Sequence, residues 1–372
     1  MDYGLFSMPL HPPERDKTEG YELDIETFVL ADKLGYSEGW MGEHFTIPWE
    51  SIPAADLFIA NVLPRTERIK LGTGVVLLPM HNPVDTAMRI AFLDHLARGR
   101  FYFGIGSGGA PTDFEMWGID NQAGEHRERT REAIDIILRV WEAQEPFTYQ
   151  GKFWNVTIPK PRPEVPLAHH IRPYQQPHPP IAVAGLHRNS ETLTMAGERG
   201  WIPMSINYLP ARNLVSHWET VEDGARRQGK VADRRQWRIA REVYVAETDA
   251  KAREEVLNGP MRRGFEEYMR GILSSLGSVD LYKTDPDMPD EAVDTEYVTD
   301  NIWIVGSPDT VTEKIRTLYN DVGGFGTILQ IAYDWEPWDR WLNCMDLFAN
   351  RVMPNLKDLV PSPEDASVAV TA

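Results

Sequence analysis

A strand–helix–strand unit over residues 69–109 constrains the fold of this 372-residue chain more than any other stretch. The unit begins with an apolar run at residues 69–78, whose isoleucine and valines favour a strand buried on both faces of a parallel sheet. Pro83 then indicates a helix start, because a proline in the first turn gives up no hydrogen bond, and Gly99 indicates the helix end. A second apolar strand at residues 100–105 follows directly. Parallel strands require such a crossover, so the unit predicts a parallel α/β sheet.

The rest of the chain repeats this alternation. Strands are predicted at residues 3–8, 36–41, 69–78, 100–105, 181–184, 201–206, 237–245 and 327–331. Helices are predicted at residues 23–34, 53–63, 83–98, 127–141, 190–199, 212–228, 250–269, 308–319 and 338–352. Eight such units without a break that resembles a linker favour one (β/α)8 TIM barrel over two domains. We therefore expect a single domain over residues 1–358, with a proline-rich insertion at about 145–179 and a disordered tail at 359–372.

Charge and composition exclude several classes of protein. The formal net charge of −18 argues against nucleic-acid binding, which uses basic patches to neutralise phosphates, and against an anionic membrane surface. The single cysteine, Cys344, leaves no intrachain disulfide and no zinc-ligand cluster. The start shows no signal peptide, and no apolar run reaches the ~18 residues of a membrane span. These features predict a cytoplasmic protein that binds neither nucleic acid nor membrane.

The residues that follow the predicted strands are the candidates for function, because barrel enzymes carry their chemistry at the carboxyl ends of the strands. Glu43 and His44 follow the second strand, and a glycine-rich run at residues 104–109 ends the fourth. A third run, at residues 185–190, follows the fifth strand and opens a helix. Glycines at three neighbouring strand ends suggest a flat ligand that the backbone approaches closely.

Each candidate also has a simpler interpretation. The run at 104–109 has the spacing G-x-G-x-x-G, but no helix is predicted directly after it, which disfavours a dinucleotide fingerprint. The run at 185–190 offers Arg188 and free helix N–H groups to a phosphate, although an ordinary capped helix with a surface arginine fits equally well. No residue at zinc-site spacing joins Glu43 and His44, so no metal is expected. A lone histidine is more often structural, but a strand-end position favours a catalytic one. Aromatic residues in or beside the loops suggest an apolar pocket: Trp49, Trp117, Trp154, Trp201, Tyr333 and Trp335.

The motifs at these positions resemble those of the bacterial-luciferase-like flavin monooxygenases over nearly the whole chain. The resemblance lies in the segments LGTGVVLLPMHNPV, LDHLARGRFYFGIG, VAGLHRNSETLTMAGERG and IVGSPDTVTEKI. Within that family the chain looks most like the diketocamphane (type II Baeyer–Villiger) monooxygenases, with the limonene-type monooxygenases next. The resemblance implies a (β/α)8 barrel that binds reduced FMN at its C-terminal face, in agreement with the pattern of elements.

The resemblance also assigns roles to individual residues. It implies that His44 stands near the reactive flavin carbon, with Glu43 beside it, as catalytic residues. It implies flavin or phosphate contacts from Phe6, Gly74, Val75, Gly106, Ser107, Arg129, Gly185, Leu186, His187, Arg188, Asn189 and Ser190. Many relatives carry a second histidine where this chain has Phe45, so that imidazole is absent here or supplied elsewhere. Residues 258–300 correspond to a segment that acts as a mobile lid in luciferases.

The expected function is that of a two-component monooxygenase. Reduced FMN and O2 would form a flavin C4a-peroxide, which attacks an apolar terpenoid or cyclic ketone to give an ester or lactone. With no domain left for NAD(P)H, a separate flavin reductase is implied, and a homodimer is expected. Alternatives are epoxidation or hydroxylation of a terpene, aldehyde oxidation, an F420-dependent oxidoreductase, and a non-catalytic flavin-binding protein.

Overall fold

The computed structural model describes residues 1–162, 164–167 and 170–361. It contains a closed barrel of eight parallel staves, where a stave is a strand position of the barrel that is occupied by one strand or by two consecutive strands. The strands are β1 (Asp2–Ser7), β2 (Glu38–Met41), β3 (Lys70–Thr73), β4 (Val76–Leu77), β5 (Phe101–Gly106), β6 (Phe147–Gln150), β7 (Asn155–Ile158), β8 (Ile181–Gly185), β9 (Ile202–Ser205), β10 (Arg238–Arg241), β11 (Val243–Val245), β12 (Ile304–Gly306) and β13 (Thr327–Ile331). The barrel order is β3-β2-β1-β13-β10-β9-β8-β5, and pairing of β5 with β3 closes it. Strand β4 continues β3 beyond the cis peptide between Gly74 and Val75. The predicted (β/α)8 fold is confirmed.

Helices surround the barrel and begin at local signals in the sequence. They are α1 (Lys17–Leu34), α2 (Ala55–Val62), α3 (Pro83–Ala97), α4 (Pro111–Met116), α5 (Glu125–Glu142), α6 (Glu191–Arg199), α7 (Ala211–Arg227), α8 (Asp249–Leu257), α9 (Pro260–Gly264), α10 (Arg270–Ser275), α11 (Thr295–Asn301), α12 (Pro308–Asp321) and α13 (Asp339–Leu347). Before α3 the Asn82 side chain accepts hydrogen bonds from two backbone N–H groups of the first turn, and Pro83 takes the first position. Gly35 ends α1 in the left-handed conformation, at φ 84°.

Two predicted elements differ from the structure, and two observed elements were not predicted. The helix expected at 250–269 is broken at Gly259–Pro260, because proline cannot continue the hydrogen-bond ladder, and α9 starts there instead. The strand expected at 237–245 leaves the barrel after Arg241, and its second half pairs with β12. The short helix α4 was not predicted, since six residues are too few to show a period. The insertion contains the antiparallel hairpin of β6 and β7.

At the amino ends of the strands the barrel interior is filled by a buried polar network. Glu38 on β2 and Arg238 on β10 form a two-pronged ion pair, with N–O distances of 3.1 and 3.0 Å. Trp40 donates its indole N–H to Glu38 and stacks on Tyr102. This network completes the hydrogen bonding of two charges that burial would otherwise penalise.

Residues 258–300 fold over one side of the barrel as short helical segments with buried side chains. Phe265, Tyr268, Tyr282 and Val293 are all buried. The predicted tail lies largely outside the described residues, since the structure describes it only to residue 361, where the Met1 ammonium donates to the Leu359 carbonyl. Within the described part of the chain, no helix is long and apolar enough to cross a membrane.

Candidate active site

His44 lies just beyond the carboxyl end of β2, between two buried carboxylates. Its Nδ1 is hydrogen-bonded to Asp113 Oδ2 at 3.2 Å, and its Nε2 lies 3.3 Å from Glu50 Oε2. Asp113 also accepts a hydrogen bond from the Thr46 backbone N–H at 2.8 Å, which fixes the carboxylate. Of the two contacts, the one between Nδ1 and Asp113 has hydrogen-bond geometry, whereas the one between Nε2 and Glu50 is an ion-pair contact. Asp113 therefore orients the ring, and Nε2 is the nitrogen available to another partner.

The charges around His44 change its acidity. Burial acts to lower the pKa of the imidazole, but Glu50 and Asp113 oppose it and the net result is a pKa above the ordinary value. Burial acts to raise the pKa of Asp113, but the interactions of its carboxylate with His44 and Thr46 outweigh burial and lower this pKa. Burial raises the pKa of Glu50 despite its contact with His44. The arrangement therefore favours the protonated imidazole and the ionised Asp113 carboxylate.

Glu43, the neighbour of His44, is engaged in a different contact. Its carboxylate is buried, accepts the Leu77 backbone N–H at 3.0 Å and lies 2.7 Å from His81 Nε2. Leu77 belongs to β4, so Glu43 connects the end of β2 to the end of the next stave. The pair of Glu43 and His81 was not expected from the sequence, although both residues lie in loops that follow barrel strands.

The glycines and neighbours assigned to the flavin come together at the ends of β1, β3 and β5. A Cβ atom at Gly74 would meet the Phe6 ring at 3.0 Å, and one at Gly106 would meet Val75 at 2.5 Å. Ser107 follows Gly106 and is half-buried at the barrel mouth. Contacts with other protein atoms thus account for these glycines, so they do not by themselves require a flat ligand.

The loop at 185–190 has the features of an anion-binding site. Arg188 is exposed and has no ion-pair partner among the residues that the structure describes. Asn189 adopts the left-handed conformation at φ 55°, and Ser190 precedes α6 without capping its N–H groups. Leu186 and His187 are exposed beside them, and Gly185 ends β8. A turn into a helix start directs backbone N–H groups toward one point, which favours an anion.

His217 of α7 connects the loop at 185–190 to the barrel through hydrogen bonds. Its Nε2 donates to the His187 carbonyl at 2.9 Å, and its Nδ1 lies 2.8 Å from Ser205 Oγ. Burial lowers the pKa of His217 to about 4, so the ring is neutral and can accept from the serine. Trp237 donates to the same serine at 2.9 Å. The loop position is therefore coupled to the barrel core.

Arg129 contacts its own helix, α5, and the insertion. Its guanidinium donates to Glu125 at 2.8 Å and lies 4.6 Å above the Phe153 ring, with Trp154 also close. These contacts hold Arg129 against the insertion. The phosphate role that the resemblance implies for it has no support in these contacts.

One wall beside His44 is apolar. Leu77, Met80, Phe114 and Ile119 form a small cluster separate from the main core, and Phe45 packs against it. Phe45 also meets Trp117, with ring centroids 4.3 Å apart. Phe45 therefore extends an apolar surface.

A second, polar wall near His44 was not predicted from the sequence. The Tyr268 hydroxyl donates to Glu50, and Trp49 stacks on Tyr268 at 5.8 Å. Glu242, beyond β10, is buried and contacts Asn207 and Tyr333. Among the predicted pocket aromatics, Trp49 and Tyr333 lie here and Trp117 lies against Phe45 on the apolar wall. Trp335 instead stacks on Tyr244, Trp201 packs on Arg199, and Trp154 lies near Arg129. No group of three or more His, Cys, Asp or Glu residues in the described part of the chain is arranged to bind a metal ion.

A second buried histidine, His11, supports the loop that carries Glu50. Its ring nitrogens lie 2.9 Å from Asp334 and 3.0 Å from Asp24, and its backbone N–H donates to the Trp49 carbonyl. Burial opposes the charged form, but the two carboxylates outweigh it and raise the pKa of His11 to about 9. His11 is therefore an imidazolium at neutral pH.

We expect this imidazolium to make folding stability depend on pH. Because the pKa of His11 is about 9 in the folded protein and near 6.5 when unfolded, its contribution is complete below pH 6.5 and is lost as the pH rises through 9. The free energy of unfolding, measured by urea titration, should fall by about 3 kcal/mol more over this range in wild type than in His11→Gln. His95→Gln, at an exposed histidine of α3, should keep the wild-type slope. Equal slopes in wild type and His11→Gln would refute the assignment.

Comparison with known proteins identifies the relatives of this chain. A sequence profile described as luciferase-like monooxygenase matches residues 1–324. The chain is 33% identical to 3,6-diketocamphane 1,6-monooxygenase of Pseudomonas putida over 374 residues, which cover 96% of this chain and 98% of that protein. It is 31% identical to limonene 1,2-monooxygenase of Rhodococcus erythropolis over 372 residues, 97% of this chain and 88% of that protein.

A solved structure shares the fold closely. It is the oxygenating constituent of 3,6-diketocamphane monooxygenase from the CAM plasmid of Pseudomonas putida, a type II Baeyer–Villiger monooxygenase in complex with FMN. The TM-score is 0.90 at 33% identity, and the match covers 97% of this chain and 99% of that chain.

Proposed function

The chain belongs to the luciferase-like monooxygenase family, and from that premise we propose that it is the oxygenase of a two-component, FMN-dependent Baeyer–Villiger monooxygenase. The observation that carries the proposal is His44 at the end of β2, oriented by Asp113 and bordered by the apolar cluster around Phe45. This places one proton donor beside a surface suited to a hydrophobic cyclic ketone.

The residues present fit FMN. The loop at 185–190 offers Arg188 and uncapped helix N–H groups to the phosphate, and the partly exposed Val75 and Gly106, at the ends of β3 and β5, would contact the ring system. When bound in its reduced form, FMN supplies the electrons with which O2 is activated. The residues of the chain then have to bind the flavin, orient the substrate and exclude water from the site.

His44 is the proposed catalytic residue. With Asp113 on Nδ1, the imidazole presents its Nε2–H, which can turn from Glu50 to an oxygen atom bound in the barrel mouth. A protonated ring can donate that hydrogen bond and give up or regain a proton as the carbonyl carbon is attacked. Glu43 is proposed as a positioning residue, because its carboxylate is occupied by His81 and the Leu77 N–H.

The proposed partners follow from the same reading. A separate NAD(P)H-dependent flavin reductase is proposed, because the solved relative is the oxygenating constituent of its monooxygenase. A homodimer is proposed through α2 and α3, where Leu57, Phe92 and Leu96 expose 69%, 57% and 50% of their surface. Apolar side chains exposed on neighbouring helices favour a protein contact.

A product screen tests the reaction type. Purified protein would be supplied with FMN, any flavin reductase and NADH, with cyclic ketones, terpene alkenes and long-chain aldehydes as separate substrates. Lactone formed only from ketones supports the proposal. Epoxide from alkenes or acid from aldehydes would move the assignment to those reactions, turnover with F420 alone would indicate the oxidoreductase alternative, and flavin binding without oxygen uptake would indicate a non-catalytic protein.

The segment at 258–300 is proposed as a lid, because its Tyr268 hydroxyl reaches Glu50 beside His44. Tyr268→Phe should lower product formation about fivefold to thirtyfold, the kinetic equivalent of the ~1–2 kcal/mol lost with a hydrogen bond to a carboxylate. Tryptic cleavage within the segment should become faster, and bound FMN should slow it less than in wild type. Tyr297→Phe alters a hydroxyl of the same segment that is bonded to Thr284 and the Tyr282 carbonyl rather than to Glu50, and product formation should stay at the wild-type level. Equal effects of the two substitutions would contradict the lid.

A further inference from the structure

Glu242 projects toward the barrel mouth from the end of β10. The preceding Arg241 turns its guanidinium away to backbone carbonyls, among them that of Asn207 at 2.8 Å. Because successive side chains of an extended chain alternate, Glu242 takes the other direction. There it contacts the Asn207 side chain beyond β9 and the Tyr333 hydroxyl, at 3.5 Å, beyond β13. These are the two staves that flank β10, so the carboxylate lies among three strand ends.

One oxygen of the Glu242 carboxylate lacks a hydrogen-bond donor among the described residues. Glu242 is 2% exposed, and its Oε2 is buried without a hydrogen-bond partner among the described residues. A buried carboxylate oxygen without a donor costs free energy, and such groups are rare away from functional sites. Burial raises the pKa of Glu242 although Asn207 and Arg241 act in the opposite direction. A donor brought by a ligand would satisfy this oxygen.

Tyrosines surround the same place. Tyr208 and Tyr333 are buried, and the charges of both Glu50 and Glu242 act on their hydroxyls. Tyr282, from the segment at 258–300, packs on Tyr208 with ring centroids 5.4 Å apart. Burial raises the pKa of all three phenols, so their hydroxyls remain protonated. The mouth therefore has an apolar wall near Phe45 and a hydroxyl-rich wall with an unsatisfied acceptor.

We propose that Glu242 is a specificity-determining residue that accepts a hydrogen bond from a hydroxyl or amino group of the substrate. The substrate class is then a cyclic ketone that carries a hydrogen-bond donor away from its carbonyl, rather than a wholly apolar ketone. The ketone part rests on the proposed function, whereas the donor part rests on the unpaired Glu242 Oε2. A site built to bind a hydroxyl group discriminates strongly against an analogue that lacks it.

Binding of matched ketones to the FMN-loaded protein tests the proposal by calorimetry. The probes are 2-adamantanone and 5-hydroxy-2-adamantanone, and then cyclohexanone and 4-hydroxycyclohexanone. At least one hydroxylated ketone should bind wild type about tenfold more tightly than its parent. Glu242→Leu should remove this preference and Glu242→Gln should reduce it, while Glu247→Gln, at an exposed glutamate, should leave it unchanged. The isosteric glutamine variant serves if the leucine variant fails to fold.

The outcomes separate this inference from the proposed function. Equal affinity for both members of each pair, a preference that survives Glu242→Leu, or no binding of either hydroxylated ketone overturns the inference. Turnover of the same ketones with reduced FMN is measured separately. A hydroxyl preference in binding without oxygenated product would contradict the Baeyer–Villiger function and still support the role of Glu242.

Discussion

Replacing His44 by alanine should lower the formation of oxygenated product by about 10²-fold or more, the scale of a general acid–base residue. The imidazole is oriented by Asp113, and its Nε2 is the nitrogen available to an oxygen atom in the barrel mouth. FMN affinity should stay nearly intact, because the proposed flavin contacts, the loop at 185–190 and the ends of β3 and β5, follow other strands of the barrel. Reducing equivalents that no longer reach product should appear as hydrogen peroxide. Product, peroxide and FMN affinity are measured in parallel.

Two further variants make the His44 test specific. Asp113→Asn should give an intermediate loss and shift the pH profile of turnover to lower pH, because an amide supports the imidazolium less well than a carboxylate does. His95→Ala removes an exposed histidine of α3 and should behave as wild type. If His44→Ala couples reduced flavin to product as wild type does, the histidine is structural and the assigned mechanism is wrong.

Replacing Arg188 by alanine should weaken FMN binding by about 1.5–3 kcal/mol, the range for a hydrogen bond between charged groups. Arg188 is exposed beside the uncapped start of α6, where helix N–H groups also favour an anion. Riboflavin lacks the phosphate, so its affinity should change little. Equilibrium titration of both flavins in their reduced form under anaerobic conditions measures the difference.

The matched control for Arg188 lies at the other end of the same helix. Arg199→Ala removes an arginine paired with Asp135, and FMN affinity should be unchanged. Equal losses of FMN and riboflavin in Arg188→Ala would remove Arg188 from the phosphate site. A loss in Arg199→Ala as large as that in Arg188→Ala would indicate a general effect on α6 rather than a phosphate contact.

Local patterns in the sequence determined the barrel and the positions of its functional ends. A buried parallel strand needs an apolar run, and a helix needs its cap and its terminating glycine, and each signal spans only a few residues. His44 and the loop at 185–190 follow predicted strands, so the (β/α)8 prediction alone assigned them to one face. The predicted family is confirmed for the same reason, since its motifs are themselves contiguous segments.

The tertiary structure alone decided what these residues contact. Asp113 is 69 positions from His44, and Tyr268 is 218 positions from Glu50, so neither pairing leaves a periodic trace in the sequence. Closure of the barrel brings strand ends together that are far apart in the sequence, so sequence separation does not predict which loops are neighbours. Glu242 shows this most directly. Its Oε2 has no hydrogen-bond partner among the described residues, and its carboxylate meets side chains from beyond β9 and β13. The chain order predicts neither feature. Hydrophobic periodicity and helix capping depend on residues that are close in the sequence. The electrostatic interactions of the site depend on the distances between charges, and only the folded barrel determines those distances.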